Sequence, residues 1–127
     1  MGMPLLRRLD PWLAPLLLMA VIFFFSAQPR LDSGLGWIDH VGRKLVHVGE
    51  YALLCLLWWR ALRGVMPSGR AVLAAFLISS VYAASDELHQ SSVDGRSGTP
   101  LDWAIDTAGA GLMAARLRQR ARPKAVA

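Results

Sequence analysis

Cysteine is nearly missing from this chain: Cys55 stands alone, inside an apolar run. A single thiol excludes a disulfide framework and a cysteine metal site, and it leaves the redox compartment unread. No His-Glu-x-x-His helix occurs, and no Gly-x-Ser-x-Gly elbow surrounds Ser85, Ser91 or Ser92. Neither the zincin nor the elbow-serine pattern of hydrolysis is therefore present. An internal repeat is also lacking, so a proton-coupled transporter built on related halves would require an oligomer. At 127 residues there is room for one domain, spanning 1–127, and no second module.

What the chain does hold is apolar. Apolar residues make up 54% of it, with tryptophans at segment ends, a composition that reads as membrane-resident rather than soluble. The formal net charge is +5, but Arg116, Arg118, Arg120, Arg122 and Lys124 follow directly on an apolar segment. That placement suits the anionic cytoplasmic face of a membrane and argues against a nucleic-acid partner.

Residues Trp12 to Ala27 are almost wholly apolar and follow Arg7 and Arg8, as a secretory signal would. Phe25, however, occupies the place of the small residue needed before a cleavage site at Ala27. The stretch reads as a retained first span, residues 12–27, with Pro15 accommodated in its first turns. Further spans are expected at about 43–62, 70–87 and 101–117. Each has fewer uninterrupted apolar residues than the roughly 20 that cross a bilayer unaided, so polar residues at their ends belong within the membrane.

The expected fold is all-α, a four-helix transmembrane bundle with both termini in the cytoplasm. With the N-terminus inside, ten cations fall inside: Arg7, Arg8, Arg60, Arg63, Arg70 and the five of the tail. Four fall outside, Arg30, Arg43, Lys44 and Arg96, a bias that fits the positive-inside rule. Trp12, Trp37, Trp58, Trp59 and Trp103 all lie near span ends, as interfacial belts require. A soluble bundle would need a polar stripe along every helix, which Trp12–Ala27 and Tyr51–Trp59 do not offer.

Charged residues inside the spans are rare enough to locate by counting. With Arg60, Arg70 and Arg116 as cytoplasmic markers, Glu50 and Asp106 both come out about 15 Å above the boundary. His47 lies at about 20 Å, Asp102 at about 21 Å and Asp86 at about 24 Å. The spacing predicts a polar pocket that opens outward and descends about halfway through the bilayer. Helical periodicity aligns Lys44, His47, Glu50 and Tyr51 on the second span, and Ser79, Tyr82, Asp86, His89 and Gln90 on the third. On the fourth, Asp102, Asp106 and Gly109 share one face, while Thr107, Gly111 and Ala115 form a small-residue row for helix packing.

An uncompensated charge at such depth costs at least about 2.5–3.5 kcal/mol, so these groups are expected to face one another rather than lipid. Lys44, His47 or Arg96 can neutralise Glu50, Asp102 or Asp106. A protonated carboxyl beside a histidine supplies general acid–base chemistry, and the same residues supply interhelical glue. The candidates for chemistry are His47, Glu50, Asp86, Glu87, His89 and Asp106; for ligand binding they are Lys44, Tyr51, Gln90, Arg96 and Asp102. His47, Glu50, Asp86, Glu87 and His89 offer metal-type donors, but their spacing matches no ligand signature, so no metal and no cofactor are expected. Arg96 sits in the turn-forming loop Val93–Pro100, as a surface residue or as a partner for an anionic group.

The string Arg43-Lys44-x-x-His47-x-x-Glu50-Tyr51-Ala52-x-Leu54, then Asp86-Glu87-x-His89-Gln90, then Arg96, Asp102 and Gly109, resembles the VanZ-like family of bacterial membrane proteins. The close of the first span, Phe25-Ser26-Ala27-Gln28-Pro29, is similar to that family as well, and the likeness runs over nearly the whole chain. One departure is Asp106, where the family commonly carries Asn; the carboxyl adds a potential negative charge to the pocket.

The resemblance implies a multi-pass protein of the bacterial cytoplasmic membrane, in a family whose founding member is linked to lowered susceptibility to the glycopeptide teicoplanin. Two functions follow as expectations. In one, the outward pocket binds a membrane lipid or lipid-linked amphiphile and changes how a lipoglycopeptide or cell-wall precursor engages the envelope. In the other, the residues form an intramembrane acid–base hydrolase or transferase acting on an amphiphilic envelope substrate.

Overall fold

The computed structural model describes residues 3–26, 36–92 and 99–121. They form four helices, α1 (Met3–Ser26), α2 (Trp37–Leu62), α3 (Ser68–Ser91) and α4 (Pro100–Ala121), with no strand among the described residues. Each helix outruns its expected span at one end or both. Hydropathy marks only the apolar part, whereas a helix continues until its free N–H or C=O groups find other partners. At the start of α4, Thr99 supplies such a cap: its Oγ1 accepts from the Asp102 N–H at 3.1 Å and donates to Asp102 Oδ2 at 2.9 Å. Pro100 then occupies the first helical position, where a missing N–H does no harm.

Pro15 does not sit in a first turn, contrary to what the apolar stretch alone suggests. Helix α1 begins at Met3, which puts both Pro11 and Pro15 inside it. Each lacks the N–H for one backbone hydrogen bond, yet the helix persists, and Pro15 is buried against its neighbours.

The helices alternate in direction. Trp12 meets the Trp58 ring edge-on at 6.3 Å, so the start of α1 lies by the end of α2. Tyr82 Oη donates to the Met19 carbonyl at 2.5 Å, and Phe23 stacks on His89, which sets α1 and α3 parallel. Lys44 with Asp102 and His47 with Asp106 set α2 and α4 parallel. Helices α2, α3 and α4 pack mutually, with α2 against α4 the most extensive contact, and α1 lies on α2 and α3.

Small residues decide how closely these helices approach. Ala71, Ala75 and Ala83 of α3 and Ala110 of α4 are fully buried with Tyr51, Leu54 and Cys55 of α2. At Gly109 the backbones nearly touch: a Cβ placed there would stand 2.9 Å from Val48 Cα. Thr107 bonds Ser80 across the α3–α4 seam at 3.1 Å, and Gly111 faces Phe76 at ordinary contact distance. The tightest crossing thus uses Gly109 against α2, while the Thr107–Gly111 row receives α3.

Acids share the apolar interior while large apolar side chains face outward. Asp86, Glu87, Gln90, Asp106, Ser26 and Ser79 are buried, while Leu17, Phe24, Leu45, Leu73, Val81, Leu88 and Leu112 stand exposed. Helices α2 and α3 are long and apolar enough to cross a membrane, and α1 carries a shorter apolar stretch, Asp10–Ser26.

Candidate functional site

The second helix carries Lys44, His47, Glu50 and Tyr51 at intervals of three and four, which puts them on one stripe. Asp102 and Asp106 are one turn apart on α4, and because α4 runs parallel to α2 they meet that stripe in order. Lys44 Nζ forms an ion pair with Asp102 Oδ1. One turn further in, His47 Nδ1 lies 3.2 Å from Asp106 Oδ1, and Asp106 is only 1% exposed. Glu50 is half-buried and interacts electrostatically with His47, Asp86 and Asp106.

Helix α3 closes the cluster with Asp86, Glu87 and Gln90, all buried. The Glu87 carboxyl faces that of Asp106. Gln90 Nε2 donates to Asp86 Oδ2 and to Ser26 Oγ, both at 3.4 Å, which ties the end of α1 to the site. Asp86 also adjoins Tyr51, whose side chain is completely buried and whose ring lies 6.5 Å from that of Tyr82.

Five carboxyls, Glu50, Asp86, Glu87, Asp102 and Asp106, therefore gather around Lys44 and His47. Among the described residues, His47 Nδ1, Tyr51 Oη, Asp86 Oδ1, both Glu87 oxygens and Asp106 Oδ2 of the cluster are buried without a well-aligned hydrogen bond, as are Trp58 Nε1, Trp59 Nε1, Arg60 Nε and His89 Nδ1 outside it. Buried polar atoms normally have partners, and the carboxyl oxygens among these all belong to the cluster. Among the described residues, no three His, Cys, Asp or Glu side chains converge as metal ligands.

Of the residues singled out in the sequence, Lys44, His47, Glu50, Tyr51, Asp86, Glu87, Gln90, Asp102 and Asp106 come together here. His89 does not join them: its ring stacks on Phe23 of α1 at 4.3 Å between centroids. Arg96 and most of its loop lie outside the described residues. The expected level match of Glu50 with Asp106 is displaced, because His47 is the residue that meets Asp106. Counting placed Arg60 and Arg116 at one height, whereas the contacts put them about 4.5 Å, three residues, out of register.

Ser26 and Thr99 belong to the site but were not among the candidates. Thr99 carries a readable signal, the Thr-x-x-Asp spacing of a capping box. Ser26 carries none beyond its place at the end of an apolar span.

No curated protein and no solved structure matches the chain. A family model does: the one described as VanZ/LLP1 matches residues 12–118, a stretch that reaches into all four helices and holds every polar residue of the cluster. The chain accordingly belongs to the VanZ/LLP1 family.

Proposed function

We propose that the chain crosses the bacterial cytoplasmic membrane four times with both termini inside, and that the cluster around His47 and Asp106 forms an outward-opening recess for the headgroup of an envelope lipid or lipid-linked amphiphile. The many exposed apolar side chains beside buried acids support the membrane reading, because lipid solvates apolar side chains and leaves polar ones to pack inward. Trp37 and Trp59 stand about 33 Å apart along α2, close to the roughly 30 Å of a hydrocarbon core. His47 then lies about 15 Å from one tryptophan and about 18 Å from the other, near the middle.

The observation that carries the binding reading is the gathering of buried carboxyl oxygens on Asp86, Glu87 and Asp106, for which Lys44, His47 and Gln90 supply too few donors. An acid-rich site with free acceptors favours a donor-rich headgroup, an ammonium or a set of hydroxyls, over a bare phosphate. Occupying such a ligand changes how a teicoplanin-type lipoglycopeptide or a cell-wall precursor engages the membrane. The test is deletion of the gene and its restoration as wild type, His47→Gln or Glu50→Gln. The deletion strain is expected to change in glycopeptide susceptibility or envelope composition, and only the wild-type copy to restore it; no change in any strain refutes the reading.

One observation favours a second reading. His47 held by Asp106, with Glu87 beside the same carboxyl, is the arrangement of a base with its orienting acid. An intramembrane hydrolase or transferase would use His47 to take a proton from water or an acceptor hydroxyl, and a protonated carboxyl to return one to the leaving group. Purified protein incubated with an envelope lipid extract would then convert one component, with loss of turnover in His47→Gln; absence of any turnover leaves binding alone.

A further inference from the structure

A second feature lies at the other end of the α3–α4 pair, away from the acidic cluster. There the N-terminus of α3 and the C-terminal half of α4 enclose a groove of about 710 Å³, within the range of about 300–1,000 Å³ usual for small-molecule sites. It is lined by Arg70 of α3 and Arg118 of α4, both exposed and so at its solvent side, and by Leu73, Phe76, Gly111 and Ala115. Among the described residues neither arginine has an ion-pair partner. Pro67 precedes α3 without giving it a side-chain cap, and Pro67, Gly69 and Arg70 line the groove, so the positive end of the helix dipole and its first free N–H groups lie beside it. Positive charge at the rim, backbone donors beside it and an apolar trough behind it fit one molecule with an anionic head and a hydrocarbon tail.

We propose that this groove binds one anionic phospholipid, its phosphate between Arg70, Arg118 and the α3 N-terminus and the start of an acyl chain along Leu73, Phe76 and Gly111. The sites divide by charge: the acidic cluster takes donors, and this mouth takes an anion. The inference rests on the chain lying in a membrane and is independent of what the acidic cluster binds. A basic residue near an anionic membrane surface contributes about fivefold in affinity, so the two arginines together contribute about thirtyfold.

The experiment is native mass spectrometry of the full chain released from micelles holding equal phosphatidylglycerol and phosphatidylcholine. Wild type is compared with Arg70→Gln/Arg118→Gln and with Ala115→Leu. Ala115 is exposed, so a leucine there fills the trough without entering the core, and circular dichroism checks that each variant keeps its helices. Wild type is expected to retain one phosphatidylglycerol in preference to phosphatidylcholine, the double variant to lose that preference about thirtyfold, and Ala115→Leu to lower retention at unchanged charge. Equal retention in wild type and the double variant overturns the proposal. So does an arginine effect with no effect of Ala115→Leu, which leaves surface charge alone. Displacement of the lipid by inorganic phosphate would give the mouth to the free anion, and a dimer that excludes lipid would give the groove to a second copy; either result also overturns it.

Discussion

Gly109 is where the close approach of α2 and α4 can be tested most sharply. A Cβ there would stand 2.9 Å from Val48 Cα and 3.0 Å from its carbonyl carbon, whereas unstrained carbon contacts lie at about 3.5–4.0 Å. Both atoms are backbone, so no rotamer change relieves the overlap, and Gly109→Ala must part the helices by about 0.6 Å or more. His47 Nδ1 and Asp106 Oδ1, now 3.2 Å apart, sit within one turn of that contact and would separate with it. The strain of overpacking, about 1–3 kcal/mol, opposes a gain of about 1 kcal/mol from replacing glycine in a helix. We therefore expect a net loss of up to about 2 kcal/mol, and in any case a lower stability than the control variants below. Two controls isolate the steric part. Gly49 of α2 faces open space and Gly111 meets Phe76 at 3.6 Å, an ordinary contact. Gly49→Ala and Gly111→Ala should be neutral or stabilising by up to about 1 kcal/mol. Thermal unfolding followed by circular dichroism in one detergent ranks the three variants. Equal stability of Gly109→Ala and Gly49→Ala refutes the close approach and the site geometry built on it.

Further outcomes follow from single contacts. The ion pair of Lys44 with Asp102, both partly exposed, should show a coupling of about 1 kcal/mol or less in a Lys44→Gln, Asp102→Asn cycle of unfolding free energies. Thr99→Ala removes the α4 cap and should cost about 1 kcal/mol by the same measurement, with Thr99→Ser restoring most of it. Tyr82→Phe deletes the hydrogen bond that ties α3 to Met19 of α1 and should lower stability by about 1 kcal/mol, while speeding amide exchange in α1 more than in α4.

Most of the helices were legible because their outward apolar faces and their tightly packed faces both read as apolar. Their ends were less so: Asp39 in the first turn of α2 and Asp10 within α1 lie on helix that hydropathy does not count. Membership of the cluster was legible too, since Lys44, His47, Glu50 and Tyr51 repeat at helical spacing and a charge inside a span needs a partner. Which partner each would take was not. The choice of Asp106 for His47 depends on the relative slide of α2 and α4, and that slide is fixed where Gly109 meets Val48. His89 misled for a related reason. It lies one position from Gln90, but a step of one residue turns about 100° around a helix, enough to carry its ring from the cluster to Phe23.

In the proposed arrangement a water-reachable recess, open only to the outside, holds these acids within the bilayer. The direct measurement replaces Cys55 with alanine and introduces single cysteines at Glu50, Leu53 and Arg120, then treats intact cells with a small, membrane-impermeant thiol reagent. Glu50→Cys should label, while Leu53→Cys, facing lipid, and Arg120→Cys, in the cytoplasm, should not, the latter reacting only after permeabilisation. Labelling of Arg120→Cys on intact cells, or a Glu50→Cys that stays unreactive on both sides, would contradict the account.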